Sequence, residues 1–350
     1  MIDLVNELER LCSLNGISGD EGSVSSYIIS VIEGHCTYEI DPLGNILAFK
    51  KGRNTPKNKL LVSAHMDEVG FIVNYITDDG YLKISPVGGI DPRVVFGRRV
   101  AVGDKRVCGV IGGKVLHRLS KEERGKAPDF DRLYIDIGAG SRAEAEEQVS
   151  LGDSVCFESS FERYGEGFLK GKAIDDRVGC AMMMKLITDE ELEYDTAFTF
   201  VVQEEIGLRG SACAAYTADP DIAFVLEATT AADIPSASGE KRVCELGKGP
   251  VVSFMDRRTI YDKELYRLAF ETAKEKGLNC QTKTMVAGGN DAGAIHRTRG
   301  GVRTCGISLP CRYLHSPCCV ISEKDLNESY ELVREMLCRA GGLQVSAVTE

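Results

Sequence analysis

Two adjacent glutamates, Glu204 and Glu205, end an apolar stretch and directly precede a glycine turn, in the segment Val201-Val-Gln-Glu-Glu-Ile-Gly-Leu-Arg-Gly210. The apolar stretch predicts a strand, and loops after the carboxyl ends of strands in an open α/β sheet line the ligand crevice. Adjacent acids in such a loop can divide the work, one binding a metal ion while the other moves a proton. Glutamate pairs also occur on solvated sheet edges, so further residues are needed to indicate a site.

Other residues that could bind metal lie at the ends of further apolar segments. They are His65, Asp67, Asp175, Asp176, Glu227 and His315. Single histidines at strand ends are usually structural, but the joint placement of these side chains predicts one cluster along a sheet edge. Imidazole combined with carboxylates suits Zn, Co or Mn. The acids exceed what one ion needs, which favours two divalent metal ions per chain, bridged by a carboxylate and a water molecule.

The composition argues against several classes of protein. The formal net charge is −11 without a basic stripe, which argues against binding to nucleic acid or anionic membranes. The longest apolar runs fall short of a membrane span. The first ten residues have the spacing of an amphipathic helix rather than of a signal peptide, so we expect a cytoplasmic protein. The thirteen cysteines, an odd number without a secretion signal, are expected to be reduced thiols.

The pattern along the 350 residues predicts a discontinuous α/β domain, residues 1–68 and 161–350, interrupted by a small β-domain at 69–160. The interrupting segment has short β-patterned runs separated by glycine turns and almost no helical periodicity. Ser18 or Asp20 is expected to cap the second helix. The predicted helices are 2–13, 20–34, one after Asp175, 209–216, 262–276 and 323–339, and the later predicted strands are 196–203, 222–227, 250–254, 280–286 and 302–308.

Five segments, in order along the chain, resemble the signatures of a known peptidase family. They are Ser63-Ala-His-Met-Asp-Glu-Val-Gly-Phe71, Lys172-Ala-Ile-Asp-Asp-Arg177, Gln203-Glu-Glu-Ile-Gly207, Gly288-Gly-Asn-Asp-Ala-Gly-Ala-Ile-His296 and Arg312-Tyr-Leu-His-Ser-Pro317. They look like those of the TET-type aminopeptidases, family forty-two of the metallopeptidases in the co-catalytic clan MH, which includes glutamyl and deblocking aminopeptidases. The resemblance covers essentially the whole chain.

This resemblance implies an α/β catalytic domain with a mixed sheet, interrupted by a PDZ-like β-domain, and assembly of dimers into a tetrahedral dodecamer. It implies one metal ion on His65 and Glu227 and another on Glu205 and His315, with Asp175 as the bridge. It also implies that Glu204 is the general base, that Asp67 orients His65, and that the peptide bond between Asp175 and Asp176 is cis. The corresponding position is often aspartate in relatives where this chain has Glu227, so this ligand is one methylene longer.

Three functions remain open at this stage. The first is a metalloaminopeptidase that removes N-terminal residues from short peptides, with Glu204 passing a proton from the attacking water to the leaving amine. The second is a dinuclear amidase or deacylase of a small metabolite, which the required length of the substrate would distinguish. The third is a non-catalytic scaffold of the same fold, which a missing ligand or base would favour, although none is missing here. A glucanase is disfavoured because the residues look like metal ligands rather than an isolated acid pair.

Overall fold

The computed structural model describes residues 1–235 and 237–343. Eight α-helices lie within these ranges, and most of the predicted ones are present with ends shifted by a few residues. None of them is long and apolar enough to cross a membrane. The helices are α1 (Leu4–Ser13), α2 (Gly22–Ile32), α3 (Arg142–Glu146), α4 (Ile174–Asp189), α5 (Arg209–Ala218), α6 (Lys263–Lys276), α7 (Ala292–Ile295) and α8 (Glu323–Ala340).

Seventeen strands in the same ranges form one large sheet, one barrel and one small sheet. The strands are β1 (Thr37–Ile40), β2 (Ile46–Lys50), β3 (Leu60–His65), β4 (Gly70–Ile76), β5 (Leu82–Val87), β6 (Arg99–Val102), β7 (Val107–Gly112), β8 (Tyr134–Asp136), β9 (Ser154–Phe157), β10 (Glu162–Tyr164), β11 (Phe168–Gly171), β12 (Thr196–Val201), β13 (Ile222–Thr230), β14 (Val251–Val252), β15 (Gln281–Thr282), β16 (Arg303–Cys311) and β17 (Cys319–Ser322).

The large sheet has the order β1-β2-β12-β3-β13-β16-β14-β15. The four strands in its middle, β12, β3, β13 and β16, are parallel, whereas β2 and β14 pair with them antiparallel, so the sheet is mixed as predicted. All six residues of β3 are buried because helices cover both faces of the sheet. Val62 packs in the main core with residues of α4, while Leu61 packs on the other face with residues of α5 and α7.

A closed barrel forms between β3 and α4 along the chain, in the strand order β4-β5-β8-β7-β6-β9. It has a hydrophobic core of its own, in which the rings of Phe71 and Phe157 pack edge to face with their centroids 5.4 Å apart. Its only α-helix among the described residues is the five-residue α3, in agreement with the weak helical periodicity of this stretch. A small barrel is therefore present, while its likeness to a PDZ domain stays a prediction.

The predicted cap of the second helix is wrong. The residue before α2 is Glu21, whose side chain makes no capping hydrogen bond. The two residues predicted for this role instead form hydrogen bonds with residues distant in the sequence. Ser18 donates to Asp67, and Asp20 accepts from Ser154 in the barrel. The local capping pattern was misleading because these short polar side chains join separate parts of the fold.

Several predicted element ends also differ from the structure. The strands expected at 250–254 and 280–286 shrink to the two-residue β14 and β15, and the chain then leaves the sheet as loops. Glu227 was expected at a strand end, but it lies inside β13, which continues to Thr230 beside β16 after it has parted from β3. The short helix α7 was not predicted. Residues 344–350 of the predicted catalytic range lie outside the described residues.

Candidate metal site

The predicted site residues come from separate elements that meet at the carboxyl end of the parallel strands. His65 is the last residue of β3, Glu204 and Glu205 follow β12, and Asp175 lies in the irregular first turn of α4. The register explains why the first three meet, since His65 pairs with Val201, three residues before Glu204. Parallel strands in register thus bring their following loops to one edge.

Asp175 lies at the centre of this cluster and faces two histidines with separate oxygens. Its Oδ1 is 3.4 Å from Nε2 of His65, and its Oδ2 is 3.3 Å from Nε2 of His315. The structure also contains the cis peptide bond between Asp175 and Asp176 that the resemblance implies. Asp176 is fully buried and accepts a hydrogen bond from the backbone N–H of Gly179. One carboxylate is therefore shared between two imidazoles.

Each histidine has a second carboxylate at a similar distance. Oε1 of Glu227 is 3.4 Å from Nε2 of His65, and Oε1 of Glu205 is 3.4 Å from Nε2 of His315. Two triads result, His65-Asp175-Glu227 and Asp175-Glu205-His315, and within each the possible ligand atoms lie within 4.8 Å of one another. Glu204 forms a third such group with His65 and Glu205. The structure thus brings together the five ligands that the resemblance implies, whereas the candidates Asp67 and Asp176 belong to none of these groups.

Backbone carbonyls fix the orientation of both imidazole rings. Nδ1 of His65 is 3.0 Å from the carbonyl oxygen of Asp67, and Nδ1 of His315 is 2.8 Å from that of Gly89. A carbonyl oxygen only accepts, so each Nδ1 carries a proton, and a neutral ring would present the lone pair of its Nε2 to the cluster. Gly89 belongs to the barrel segment after β5, and no local sequence signal indicated this contact.

The carboxylate of Asp67 does more than the predicted orientation of His65. Its Oδ1 lies 3.4 Å from Nδ1 of that ring, farther than its own carbonyl oxygen. The two carboxylate oxygens accept from the backbone N–H groups of Glu204 at 3.0 Å and Glu205 at 3.1 Å. Ser18 donates a third hydrogen bond at 2.6 Å. Asp67 therefore anchors the loop that carries the glutamate pair.

The cluster concentrates buried negative charge. Burial raises the pKa of Glu205 to about 7, and repulsion by Asp175 acts in the same direction, while His315 opposes it. Burial also raises the pKa of Glu204 and of Glu227 well above the ordinary value. Among the described residues, Oδ1 of Asp175 is buried without a hydrogen-bond partner. Carboxylates that repel one another around an unpartnered oxygen fit divalent cations.

A buried ion pair beside the cluster was not singled out from the sequence. Nζ of Lys172 lies 2.6 Å from Oε1 of Glu68, which also accepts from the backbone N–H of Gly16 at 3.2 Å. Arg177, fully buried, donates to the carbonyl oxygens of Met66 and Leu11. These charges support the backbone immediately after His65, where the chain enters the barrel. These residues lie inside two of the signature segments, and that placement was the only sequence signal that could have identified them.

Comparison with known proteins gives consistent matches. A model of the M42 glutamyl aminopeptidase family matches residues 44–332. The lysyl aminopeptidase of Pyrococcus furiosus is 33% identical over 94% of this chain and 95% of its own length. The glutamyl aminopeptidase of Lactococcus lactis is 30% identical over 96% of this chain and 96% of its own length.

Solved structures of TET peptidases share the fold. The TET aminopeptidase of a marine sediment archaeon, Thaumarchaeota archaeon SCGC AB-539-E09, superimposes with a TM-score of 0.91 at 35% identity, covering 96% of each chain. The Pyrococcus horikoshii TET1 peptidase, which can assemble into a tetrahedron or a large octahedral shell, gives 0.85 at 32% identity over 96% of this chain and 100% of that one. PhTET1 in a dodecameric form gives 0.86 at 32% identity over 97% and 100%. With a family model over most of its length and relatives that match from end to end, this chain belongs to the M42 glutamyl aminopeptidase family.

Proposed function

We propose that this aminopeptidase removes N-terminal residues from short peptides with two divalent metal ions per chain. Its family supplies the class of reaction, hydrolysis of the first peptide bond of a peptide. The observation that carries the dinuclear site is Asp175, whose two oxygens face Nε2 atoms of different histidines. A single ion would leave one of the two triads without a cation, and buried carboxylates without a cation are costly.

The residues present fit two ions that share one carboxylate. His65 and Glu227 would hold one ion, Glu205 and His315 the other, and Asp175 would bridge them. Nitrogen and oxygen ligands of this kind suit Zn or Co, and Mn is the further candidate. When bound there, such ions would polarise the scissile carbonyl and lower the pKa of a bound water.

Glu204 is the proposed general base. It belongs to the group with His65 and Glu205, yet neither triad needs it as a ligand. The backbone N–H of Glu204 donates to Asp67, which fixes the position of its main chain at the edge of the cluster. Glu204 takes the proton of the attacking water and then gives it to the leaving amine, as general acid–base catalysis requires.

The cluster also accounts for cleavage at the N-terminus rather than within the peptide. A free α-amine on the substrate would lie near the second ion and its neighbouring carboxylates, which restricts cleavage to the first peptide bond, beside Glu204. A small acylated metabolite without such an amine lacks this interaction, so the amidase alternative is less well supported. The scaffold alternative is disfavoured because the proposed ligands and the base all occupy the cluster.

The barrel and its surroundings, residues 69–160, are proposed to form an inserted PDZ-like assembly domain, with 1–68 and 161–350 as the catalytic domain. We propose a tetrahedral dodecamer built from dimers, and the TET1 peptidase structures, one a dodecamer and one described as a tetrahedron or an octahedral shell, support a closed assembly. Because the barrel is closed, we expect exposed side chains rather than free strand edges to form the contacts, and candidates are Ile72, Tyr75, Phe96 and Val110. Sedimentation should give a particle far larger than one chain. A monomer with full specific activity would contradict this assembly.

The dinuclear site is tested by stripping the protein of metal and reloading it separately with Zn, Co and Mn. We expect bound metal to level off at two equivalents per chain and to restore hydrolysis of aminoacyl 4-nitroanilides. A plateau at one equivalent with full activity would overturn the dinuclear site. Turnover of small acylated metabolites but not of peptides would favour the amidase instead. The cytoplasmic location expected from the sequence stays a prediction that cell fractionation can test.

A further inference from the structure

The segment that carries Asp175 is flanked by two buried cations. Lys172 lies three residues before Asp175 and Arg177 two residues after it, and both side chains are almost completely excluded from solvent. Among the described residues, neither cation donates a hydrogen bond to a proposed metal ligand. Buried charges are costly unless they are paired and hydrogen-bonded, so the partners of these two cations indicate what they do.

Lys172 joins this segment to two other parts of the chain. Its Nζ donates to Oε1 of Glu68 at 2.6 Å and to the carbonyl oxygen of Leu14 at 2.7 Å. Glu68 is also bound to Gly16, since its backbone N–H donates to the carbonyl oxygen of Gly16 at 2.9 Å and its Oε1 accepts from the N–H of Gly16 at 3.2 Å. Lys172 therefore binds at the point where the N-terminal segment meets the chain that leaves β3.

Arg177 contacts the same two stretches from the other end of the segment. Its guanidinium donates to the carbonyl oxygens of Met66 at 2.6 Å, Leu11 at 2.7 Å and Gly16 at 3.3 Å. Its Nη2 also lies 3.6 Å from Oε1 of Glu68. The two cations therefore fix the backbone between them against one shared set of acceptors.

The backbone between the two cations is irregular, and this irregularity directs Asp175. Ala173 has φ of +53°, in the left-handed region that favours glycine, and Asp175 has φ of −83° and ψ of 109°, which is not helical. A left-handed alanine is costly, so the surrounding contacts must hold it. A regular helical turn would direct the carboxylate of Asp175 elsewhere, because the backbone angles set the direction of the side chain.

The pair of Lys172 and Glu68 also lies against one half of the proposed metal site. Both residues line the same narrow crevice as Asp175, Glu205 and His315. In this half, Oδ2 of Asp175 lies 3.3 Å from Nε2 of His315. We therefore expect a shift of Lys172 to move the carboxylate of Asp175 relative to His315.

We propose that Lys172 is a positioning residue for the metal site, and that through Glu68 and Leu14 it holds Asp175 in the orientation that lets two ions share its carboxylate. This inference rests on the proposed function, since it concerns the second ion of the same site. Residues that support metal ligands contribute about 10- to 100-fold to metal affinity. The alternative, a pair that only stabilises the fold, predicts an unchanged metal affinity in every variant that still folds.

The first test is Lys172→Met, which keeps most of the length of the side chain and removes the ammonium group. Titration of the metal-free protein with Zn should show an affinity about 10- to 100-fold lower for the more weakly bound ion, and a much smaller change for the other. In the enzyme saturated with metal, kcat should fall while KM changes little, because Lys172 does not line the cleft in which Glu204 and Glu227 lie.

Lys170→Met is the matched control. Lys170 lies two residues earlier, in β11, and its ammonium group pairs at 3.3 Å with Glu162, whose side chain is 55% exposed. The same change of side chain at this position should leave both metal affinities at their wild-type values.

A double variant separates positioning from stability. Lys172→Met leaves the carboxylate of Glu68 buried without its closest cation, which destabilises the fold. Lys172→Met/Glu68→Gln lacks this charge, and its amide oxygen can still accept from Gly16, so urea unfolding of the metal-free protein should show recovered stability. The defect in metal binding should remain, because a thioether cannot donate the two hydrogen bonds of the ammonium group.

Recovery of metal affinity together with stability in the double variant would overturn the inference, and so would wild-type affinity for both ions in Lys172→Met. If Lys172→Met does not fold, the double variant decides alone. A wild type that binds two ions, with variants that bind them equally well, refutes only this inference. A wild type that levels off at one ion with full activity refutes the dinuclear site itself.

Discussion

The carbonyl oxygen of Gly89 lies 2.8 Å from Nδ1 of His315 and joins the barrel to the proposed metal site. None of the proposed metal ligands belongs to the barrel, yet one of them takes its orientation from it. The side chain of His315 is 33% exposed, compared with 2% for His65, so packing alone constrains it less. The barrel segment therefore supports the more exposed half of the proposed site.

A methyl group next to this segment should weaken metal binding. Gly88 has φ of +85°, and a Cβ there would lie 2.7 Å from Cγ1 of Val69 and 3.3 Å from Cβ of Glu205. Gly88→Ala should therefore shift the segment that carries Gly89 and disturb the Glu205–His315 pair. We expect an affinity about 10-fold lower for the more weakly bound ion, measured by metal titration.

Gly97→Ala is the matched control for this substitution. Gly97 also has a positive φ, +74°, but a Cβ there meets no atom within 4 Å. Both variants carry the backbone cost of alanine in this region, about 1 kcal/mol or slightly more. Equal metal affinities in the two variants would contradict an effect of the contacts of the added methyl group at Gly88 on the metal site.

Asp67→Asn should uncouple the glutamate loop from the cluster. The carboxylate accepts from two backbone N–H groups and one hydroxyl, whereas an amide has a single acceptor oxygen. We expect kcat/KM to fall about 10- to 100-fold, with a smaller effect on the free energy of unfolding. Ser18→Ala, which removes only one donor, should have a much smaller effect. Wild-type kinetics for Asp67→Asn would contradict the anchoring role.

The pair of Arg312 and Asp233 should give a pH-dependent contribution to stability. Burial raises the pKa of Asp233, but the hydrogen bonds from Arg312 at 2.6 and 2.7 Å, the backbone N–H of Leu246 at 3.1 Å and the charge of Arg312 together lower it below its ordinary value of 3.8. A carboxylate whose pKa is lowered by folding stabilises the fold fully at pH values above its pKa in the unfolded chain. This contribution is lost as the pH falls through its pKa in the folded protein. Asp233→Asn should therefore cost about 1–2 kcal/mol at pH 7.

Urea unfolding of both proteins between pH 7 and about pH 2.5 measures this difference. We expect it to shrink as the pH falls below the ordinary value of 3.8. The control is Asp219→Asn, because Asp219 pairs with Lys59 at the surface, where both side chains are about half exposed. Exposed pairs contribute little to stability because solvent screens them. A cost for Asp233→Asn that persists unchanged at the lowest pH would exclude the ion pair as its source.

Much of the site was predictable because the strands carry it. The apolar runs before His65 and before Glu204 identify β3 and β12, and parallel pairing in register must bring their following loops together. The residue types then indicate the chemistry, since imidazoles and carboxylates in one place are typical of metal sites. The break in helical periodicity between β3 and α4 likewise predicted a separate β-rich unit, which the structure has as a closed barrel.

The residues that support the cluster were not predictable in the same way. The contact of Gly89 with His315 spans 226 positions and uses a backbone carbonyl, which every residue has. Ser18 looked like a helix cap because its local pattern fits one, but a tertiary hydrogen bond to Asp67 determines its role. The turns of the loops after β14 and β15 were not predictable either, because loops without periodicity carry no such signal.

The paired glutamates should separate metal binding from turnover. Both backbones are held by Asp67, but only Glu205 has a carboxylate oxygen 3.4 Å from a histidine nitrogen in one of the triads that share Asp175. Glu204→Gln should keep two metal ions and lose about 10²–10⁴-fold in kcat, because an amide of similar shape cannot accept the proton of the water. Its KM should change much less.

Glu205→Gln is the matched substitution on the neighbouring residue, with the same change in charge and size. It removes an anionic ligand, so the expected defect is lower metal occupancy, and excess metal should restore part of the activity. Excess metal should not rescue Glu204→Gln, since its defect lies in proton transfer. Metal analysis and kcat for both variants therefore assign the two roles. A fully metallated, active Glu204→Gln enzyme would exclude Glu204 as the base, and an interchange of the two phenotypes would reverse the assignment.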